Sequence, residues 1–151
     1  MLTSPDFKEL LSLFKKYKVK YLVVGGYAVM KYSEPRFTKD LDLFIAIDKE
    51  NSISVYNALK EFGAPLENLT PDDFSQEGYF YQMGVQPLRV DILMSIPGVK
   101  FTEAWKHREK VQIGDVEINF IAKKHLIESK RASGRPQDLI DLEHLSISID
   151  S

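Results

Sequence analysis

Two aspartates, Asp40 and Asp42, open an apolar run and have the clearest chemical potential in this sequence. Side chains on a strand alternate between its two faces, so both carboxylates point the same way and Leu41 and Leu43 point the other way. Aspartate is disfavoured in strands, and two acids side by side repel each other. A divalent cation would offset that repulsion directly, so the pattern predicts a metal site.

A later segment repeats this arrangement around Asp91. Its apolar face is made by four residues, Leu88, Val90, Ile92 and Met94, and its other face carries Arg89 and Asp91. If both strands pack on the same helices, Asp91 shares the open face with Asp40 and Asp42. Three oxygen donors in a chain without cysteine suit a hard cation, Mg²⁺ or Mn²⁺. The alternative is that these acids are only solvated strand ends.

The glycine pair Gly25-Gly26 ends an apolar run and precedes a short helix-like segment. A helix N-terminus presents unpaired N–H groups and partial positive charge, and glycine lets the backbone approach a ligand closely. The pair therefore predicts a phosphate cradle beside the acids. Taken alone, it would indicate a simple tight turn.

The elements that must position these residues follow from periodicity and punctuation. Ser4 is a candidate cap for a first helix, with Pro5 at its first position and an apolar stripe of Phe7, Leu10, Leu11 and Phe14. Residues 19–24 predict a strand, 27–32 a short helix closed by Pro35, and 40–47 a second strand. Asp48 caps a helix that stops at Gly63.

The remaining segments complete a mixed sheet. We expect a loop over 64–77, strands at 79–85 and 88–94, a helix at 101–108, a hairpin of 111–113 and 116–121, and helices at 122–133 and 136–147. The predicted fold class is α+β, α/β-like, with a central mixed sheet packed by helices. Residues 1–151 are expected to form one domain, with a helical C-terminal part at about 122–147.

Composition narrows the functional classes. The chain has 151 residues, a net charge of -2 and no cysteine, with a pI of about 5.9. The charge and pI argue against tight, unaided binding to duplex nucleic acid, and the absence of cysteine excludes disulfides and thiolate chemistry. No apolar run approaches the length of a membrane span, and residues 1–6 do not have the pattern of a signal peptide. A cytoplasmic protein without a membrane partner is the expectation.

The order Gly25-Gly26, then Asp40-x-Asp42, then Asp91 resembles the polymerase-β-like nucleotidyltransferase superfamily. Within it, the chain is similar to the small prokaryotic enzymes related to toxin–antitoxin and abortive-infection systems. The resemblance covers residues 19–47, resumes around Asp91 and extends to the closing helices. It implies a nucleotidyltransferase-type fold and a nucleoside triphosphate as substrate.

That resemblance also implies roles for these residues. Gly25 and Gly26 would contact the triphosphate, and Asp40 and Asp42 would bind two Mg²⁺ ions, with Mn²⁺ as an alternative. Asp91 would complete one metal site and help to deprotonate the attacking hydroxyl. Lys130 and Arg135 would reach the phosphates, because similar helices in the resembled family place a basic residue near the nucleotide.

Two residues before the acids are further candidates for nucleotide binding. Thr38 has the same strand parity as Asp40, so its hydroxyl could orient a carboxylate. Arg36 could meet a substrate phosphate, although a solvent-facing role is equally consistent with its position.

The leading hypothesis is a Mg²⁺-dependent nucleotidyltransferase that passes a nucleoside monophosphate to a hydroxyl on a protein, an RNA or a small molecule. A nucleotide-binding regulatory or antitoxin module with little transfer activity is the alternative, and a metal-dependent hydrolase is a third possibility. The short chain leaves little room for an acceptor-binding domain, which favours a partner protein or a homo-oligomer.

Overall fold

A mixed β-sheet with helices packed on it positions the acids. The computed structural model describes residues 4–35, 38, 40–84 and 89–150, without the side chains of 147–150. The helices are α1 (Pro5–Lys16), α2 (Gly25–Tyr32), α3 (Lys49–Phe62), α4 (Phe101–Lys106), α5 (Lys123–Ser133) and α6 (Pro136–Asp150). The strands are β1 (Tyr21–Val24), β2 (Asp40–Ile45), β3 (Phe80–Met83), β4 (Arg89–Leu93), β5 (Glu109–Ile113) and β6 (Val116–Phe120).

Within the described residues the six strands form one sheet in the order β3-β4-β2-β1-β6-β5. Strand β2 runs antiparallel to β1 and parallel to β4, while β1 is parallel to β6. The outer pairs, β3 with β4 and β5 with β6, are antiparallel. This mixed sheet with packed helices is the predicted fold class. It puts the first residues of β2 next to the end of β1 and to the middle of β4.

One face of the sheet is sealed by α1, whose apolar stripe is fully buried. Phe14 of α1 meets the ring of Tyr21 edge-on at 5.5 Å, and Tyr21 is paired with Ile45 of β2. The aliphatic face of β2 therefore lies under α1, with Leu41 and Leu43 at 0% exposure. The acids are left on the opposite face, as alternation requires.

Several boundaries differ from the sequence-based expectation. Helix α2 begins at Gly25 rather than residue 27, so the glycines form its first turn instead of a preceding loop. The segment 64–77 contains a 3₁₀ turn at Pro71–Ser75, because the Asp73 carboxylate accepts the backbone N–H of Thr70 at 2.7 Å. Ser4 precedes α1 but its side chain makes no capping bond.

Other start and stop signals function as expected. The Asp48 carboxylate accepts the Asn51 N–H at 3.1 Å at the start of α3, and Gly63 ends that helix in the left-handed conformation, with φ +92°. No helix in the described part of the chain is both long and apolar enough to cross a bilayer.

Candidate active site

A row of polar side chains crosses the open face of the sheet. Asp42 of β2 lies directly opposite Asp91 of β4, and Asp91 lies opposite Gln82 of β3. The Gln82 side-chain amide donates to Asp91 Oδ1 at 2.9 Å, so these residues share one face. The structure thus brings together two acids that are far apart in sequence.

Asp40 lies in the next row, and its carboxylate forms an ion pair with Arg89. The Arg89 guanidinium lies 2.9 Å from Asp40 Oδ2 and 3.4 Å from Asp91 Oδ2. Among the described residues, no group of three acidic, histidine or cysteine side chains is placed closely enough to hold a metal ion. The donor chemistry fits a hard divalent cation, and Asp40 would have to leave Arg89 to complete a set of three ligands.

Asp42 carries the strongest electrostatic penalty in the site. Burial raises the pKa of Asp42 to about 7, reinforced by the negative charges of Asp91 and Asp40 and by a hydrogen bond with Asp91, while the positive charge of Lys130 opposes the shift. Carboxylates gathered in a low-dielectric site disfavour one another's ionised form. A cation placed among them would relieve this repulsion, which is the electrostatic requirement of a metal site.

Gly25 packs directly against Asp42. A Cβ at Gly25 would lie 2.1 Å from Asp42 Oδ2, and the residue has φ +68°, which side chains rarely adopt. Only glycine satisfies both conditions. The N-terminal turn of α2 is therefore held against the carboxylate, which puts the helix's unpaired N–H groups beside the acids.

Lys130 of α5 is held in a buried ion-pair cluster. Its Nζ lies 3.1 Å from Asp138 Oδ1 and 3.0 Å from Asp141 Oδ2, and the side chains of both acids are almost fully buried. Arg135 adds a bond from its Nε to Asp138 Oδ2 at 2.9 Å, although its own side chain is 74% exposed. This cluster fixes the Lys130 ammonium where its charge acts on Asp42.

One cleft connects these parts. It has a volume of about 300 Å³ and its walls include Gly25, Asp42, Lys130, Arg135 and Asp138. One wall of the cleft thus carries the N-terminus of α2, and the opposite wall carries the cations Lys130 and Arg135. The carboxylate of Asp42 lies between the two walls. Anionic groups such as phosphates fit the helix N-terminus and the two cations, and a metal ion fits the carboxylate.

The other predicted site residues are less central. Gly26 is buried in α2 and is not among the residues that line the cleft. Thr38 precedes β2 and is half-buried. Arg36 lies outside the described residues.

The sequence interpretation missed Gln82, Asp138 and Asp141. Asp138 and Asp141 fall at helical spacing with the buried Leu145, so they lie on the inner stripe of α6, where acids need partners. That spacing was a usable signal. Gln82 could be found only through the register of β3 with β4, which the sequence does not encode locally.

Comparison with solved structures places this architecture among nucleotidyltransferase-type folds. The lincomycin-bound lincosamide antibiotic adenylyltransferase LnuA aligns with a TM-score of 0.59 and 18% identity over 96% of this chain and 97% of that chain. The antibiotic-resistance factor ANT(2'')-Ia aligns with a TM-score of 0.59 and 12% identity, covering 98% and 84%.

An antigenic nucleotidyltransferase-like protein from Paracoccidioides brasiliensis aligns with a TM-score of 0.55 and 14% identity, covering 93% and 72%. At these identities the likeness concerns the fold alone.

A search of curated proteins found no significant match. A family model described as "Nucleotidyltransferase of unknown function (DUF6036)" matches residues 6–150, nearly the whole chain. This chain therefore belongs to that nucleotidyltransferase family.

Proposed function

We propose that this nucleotidyltransferase transfers a nucleoside monophosphate from a nucleoside triphosphate to a hydroxyl acceptor, with Mg²⁺ or Mn²⁺ as cofactor. The observation that carries the proposal is the placement of Asp42 opposite Asp91 and against Gly25, in a cleft whose far wall carries Lys130 and Arg135. LnuA and ANT(2'')-Ia, an antibiotic adenylyltransferase and an antibiotic-resistance factor, support the same reaction class.

The triphosphate would lie between α2 and α5. The N–H groups in the first turn of α2, beginning at Gly25 and Gly26, would donate to phosphate oxygens. Lys130 and Arg135 would neutralise the remaining phosphate charge, with Asp138 and Asp141 holding the lysine in place. Thr38 and Arg36, which precede the acids, would support the same nucleotide.

The cation would be held by Asp40, Asp42 and Asp91. In the two-ion arrangement that we infer, a bound divalent cation would lower the pKa of the attacking hydroxyl and would neutralise charge on the departing oxygen. Arg89 would then leave Asp40 and pair with the negative charge that develops on the departing pyrophosphate. The donor set and the raised pKa of Asp42 support this assignment.

In the reaction, the acceptor oxygen forms a bond to the α-phosphorus and the bond from that phosphorus to the pyrophosphate oxygen breaks. The electron pair leaves with pyrophosphate. The hydroxyl proton passes to the Asp91 carboxylate, which acts as the general base. The cleft orients the reactants for in-line attack.

The test is to incubate the protein with Mg²⁺, α-labelled nucleoside triphosphates and a cell extract. We expect label on an acceptor, and we expect Asp42→Asn to abolish it while the fold is retained. Asp115→Asn, at an exposed hairpin turn, is the matched control and should remain active. Full activity of Asp42→Asn would refute the metal assignment.

A nucleotide-binding regulatory or antitoxin module is the second candidate, and the ion pair between Arg89 and Asp40 favours it. In this alternative, Arg89 stays in place and the nucleotide is bound without transfer. Tight triphosphate binding with neither labelled acceptor nor free monophosphate would support it. The sequence resemblance implies a toxin–antitoxin or abortive-infection context. That context agrees with this candidate, and it also agrees with a nucleotidyltransferase whose acceptor is a protein or an RNA.

A further inference from the structure

A second cavity adjoins the cleft and has no part in the chemistry described so far. It has a volume of about 430 Å³, which is within the range of small-molecule sites. It shares Ser95 and Ile96 with the cleft, so the segment that follows β4 borders both spaces.

The register of the sheet explains why the cavity lies beside the acids. Phe44 follows Asp42 by two residues on the same face of β2, and Leu93 of β4 lies opposite Phe44. Two residues along a strand span about 6.5 Å. The apolar row of the sheet is therefore one step along the strands from the acidic row, which puts the cavity beside the part of the sheet that carries Asp42 and Asp91.

The cavity has aromatic and aliphatic walls. Phe44 meets Phe101 of α4 edge-on at 5.1 Å, and Met94 and Val99 also line the space. Aromatic rings pack well in such edge-to-face surroundings. These walls suit an apolar or ring-bearing body.

The charged residues at the cavity favour a ligand without negative charge. Asp48, Glu77 and Lys100 line it, all exposed, and the carboxylates of the acidic row lie beyond. The excess of acids makes entry of a polyanion unfavourable. The cleft wall with Lys130 and Arg135 is positively charged instead and suits an anionic ligand.

The segment between β4 and α4, which borders both the cleft and the cavity, is firmly anchored. A Cβ at Gly98 would lie 2.6 Å from the Cβ of Ala132 in α5, so the segment packs closely on that helix. The segment that borders both spaces is therefore fixed in place.

We propose that this cavity is the acceptor site, and that the acceptor is a small hydroxyl compound with an apolar ring and no negative charge, not a nucleic acid. The inference deepens the proposed function and rests on it. The nucleotide fills the cleft on the cationic side, and the acceptor fills the cavity and presents its hydroxyl to the acidic row.

A matched pair of probes tests the chemistry. Tyramine and 4-hydroxyphenylacetate share a phenol ring and differ in the charge of the side chain. We expect tyramine to bind about fivefold more tightly by calorimetry or ligand-observed NMR. Equal affinities, preference for the acid, or no binding of tyramine would overturn the inference.

Variants locate the probe. Val99→Trp should fill the cavity and abolish tyramine binding, while Glu77→Gln should reduce the difference between the two probes. Glu67→Gln, an exposed acid that does not line the cavity, is the control and should bind like the parent protein. Unchanged binding in Val99→Trp would place the probe elsewhere and refute the site.

A parallel measurement separates this inference from the proposed function. Binding of Mn²⁺ with a non-hydrolysable triphosphate should be unchanged in Val99→Trp, because Val99 does not line the cleft. Triphosphate binding with label on RNA instead of small alcohols would overturn the acceptor inference and leave nucleotidyl transfer intact. Absence of triphosphate binding would refute the proposed function itself.

Discussion

Asp42 and Asp138 line the same cleft, yet their surroundings shift their pKa values in opposite directions. Burial and two neighbouring acids raise the pKa of Asp42 to about 7. Burial also acts against ionised Asp138, but hydrogen bonds from Arg135, Ser133 and Lys130 together hold its pKa well below the usual range. Among the described residues, no cation forms an ion pair with Asp42, whereas Lys130 and Arg135 both pair with Asp138.

This difference fits the proposed roles of the two groups, with Asp42 as a metal ligand and Asp138 as a support for Lys130. Asp138 has its charge neutralised by the protein, so it adds order and little capacity for a ligand. Asp42 is destabilised within the fold, and a bound cation would remove that penalty. The electrostatics of the cleft thus favour Asp42 over Asp138 as the proposed metal ligand.

The largest effect should come from Lys130→Met, which removes the cation shared by Asp138 and Asp141. Breaking a buried ion pair from one side costs about 3–5 kcal/mol because the remaining charges lose their partner. Urea unfolding measures the loss. Lys124→Met, on an exposed position of the same helix, should change stability by less than about 0.5 kcal/mol; a similar loss in both variants would contradict the distinction.

Asp42→Asn should stabilise the protein at pH 8, by on the order of 2–4 kcal/mol. The folded-state pKa of about 7 exceeds the ordinary value of 3.8, so the parent loses stability as pH rises from about 4 to 7. Below this window Asp42 is protonated in both folded and unfolded chains, and the advantage should vanish. Thermal unfolding across pH measures it; a constant advantage at pH 3 and pH 8 would refute the electrostatic cause.

Gly25→Ala should cost more stability than Gly63→Ala, and it alone should weaken Mn²⁺ binding. Both glycines have positive φ, so each substitution carries strain of about 1–2 kcal/mol. At Gly63 an added Cβ meets nothing within 4 Å, whereas at Gly25 it would displace Asp42. Unfolding and metal titrations compare them, and equal metal affinity in the two variants would be evidence against the proposed role of Gly25.

Arg89→Met should have the smallest effect on folding, less than about 1 kcal/mol, because its ion pairs are partly exposed. Mn²⁺ affinity should rise about fivefold, since the carboxylates of Asp40 and Asp91 lose a competing cation. Calorimetric titration with Mn²⁺ measures this. Weaker binding would mean that Arg89 assists the metal instead of competing with it.

Much of the scaffold follows from local sequence. Alternation along β2 and β4 separates the acids from the aliphatic residues, and Asp48 and Gly63 mark the ends of α3 as expected. These features depend on short-range geometry, which a sequence displays directly.

The contacts of the site follow much less from local sequence. The bond from Gln82 to Asp91 and the ion pair from Arg89 to Asp40 depend on strand register and rotamers. The burial of Asp138 depends on how α6 packs on α5. The start of α2 at Gly25 was missed because glycine is a poor helix former except where a close approach requires it.

The pairing of Asp42 with Asp91 also has a consequence for biosynthesis. These residues lie 49 positions apart (91 − 42), and Lys130 comes later still. Such distant pairings form late, because the intervening chain must be ordered first. A nascent polypeptide that ends before β4 therefore lacks Asp91 and Lys130, and the proposed site cannot assemble until the chain beyond Lys130 has been made.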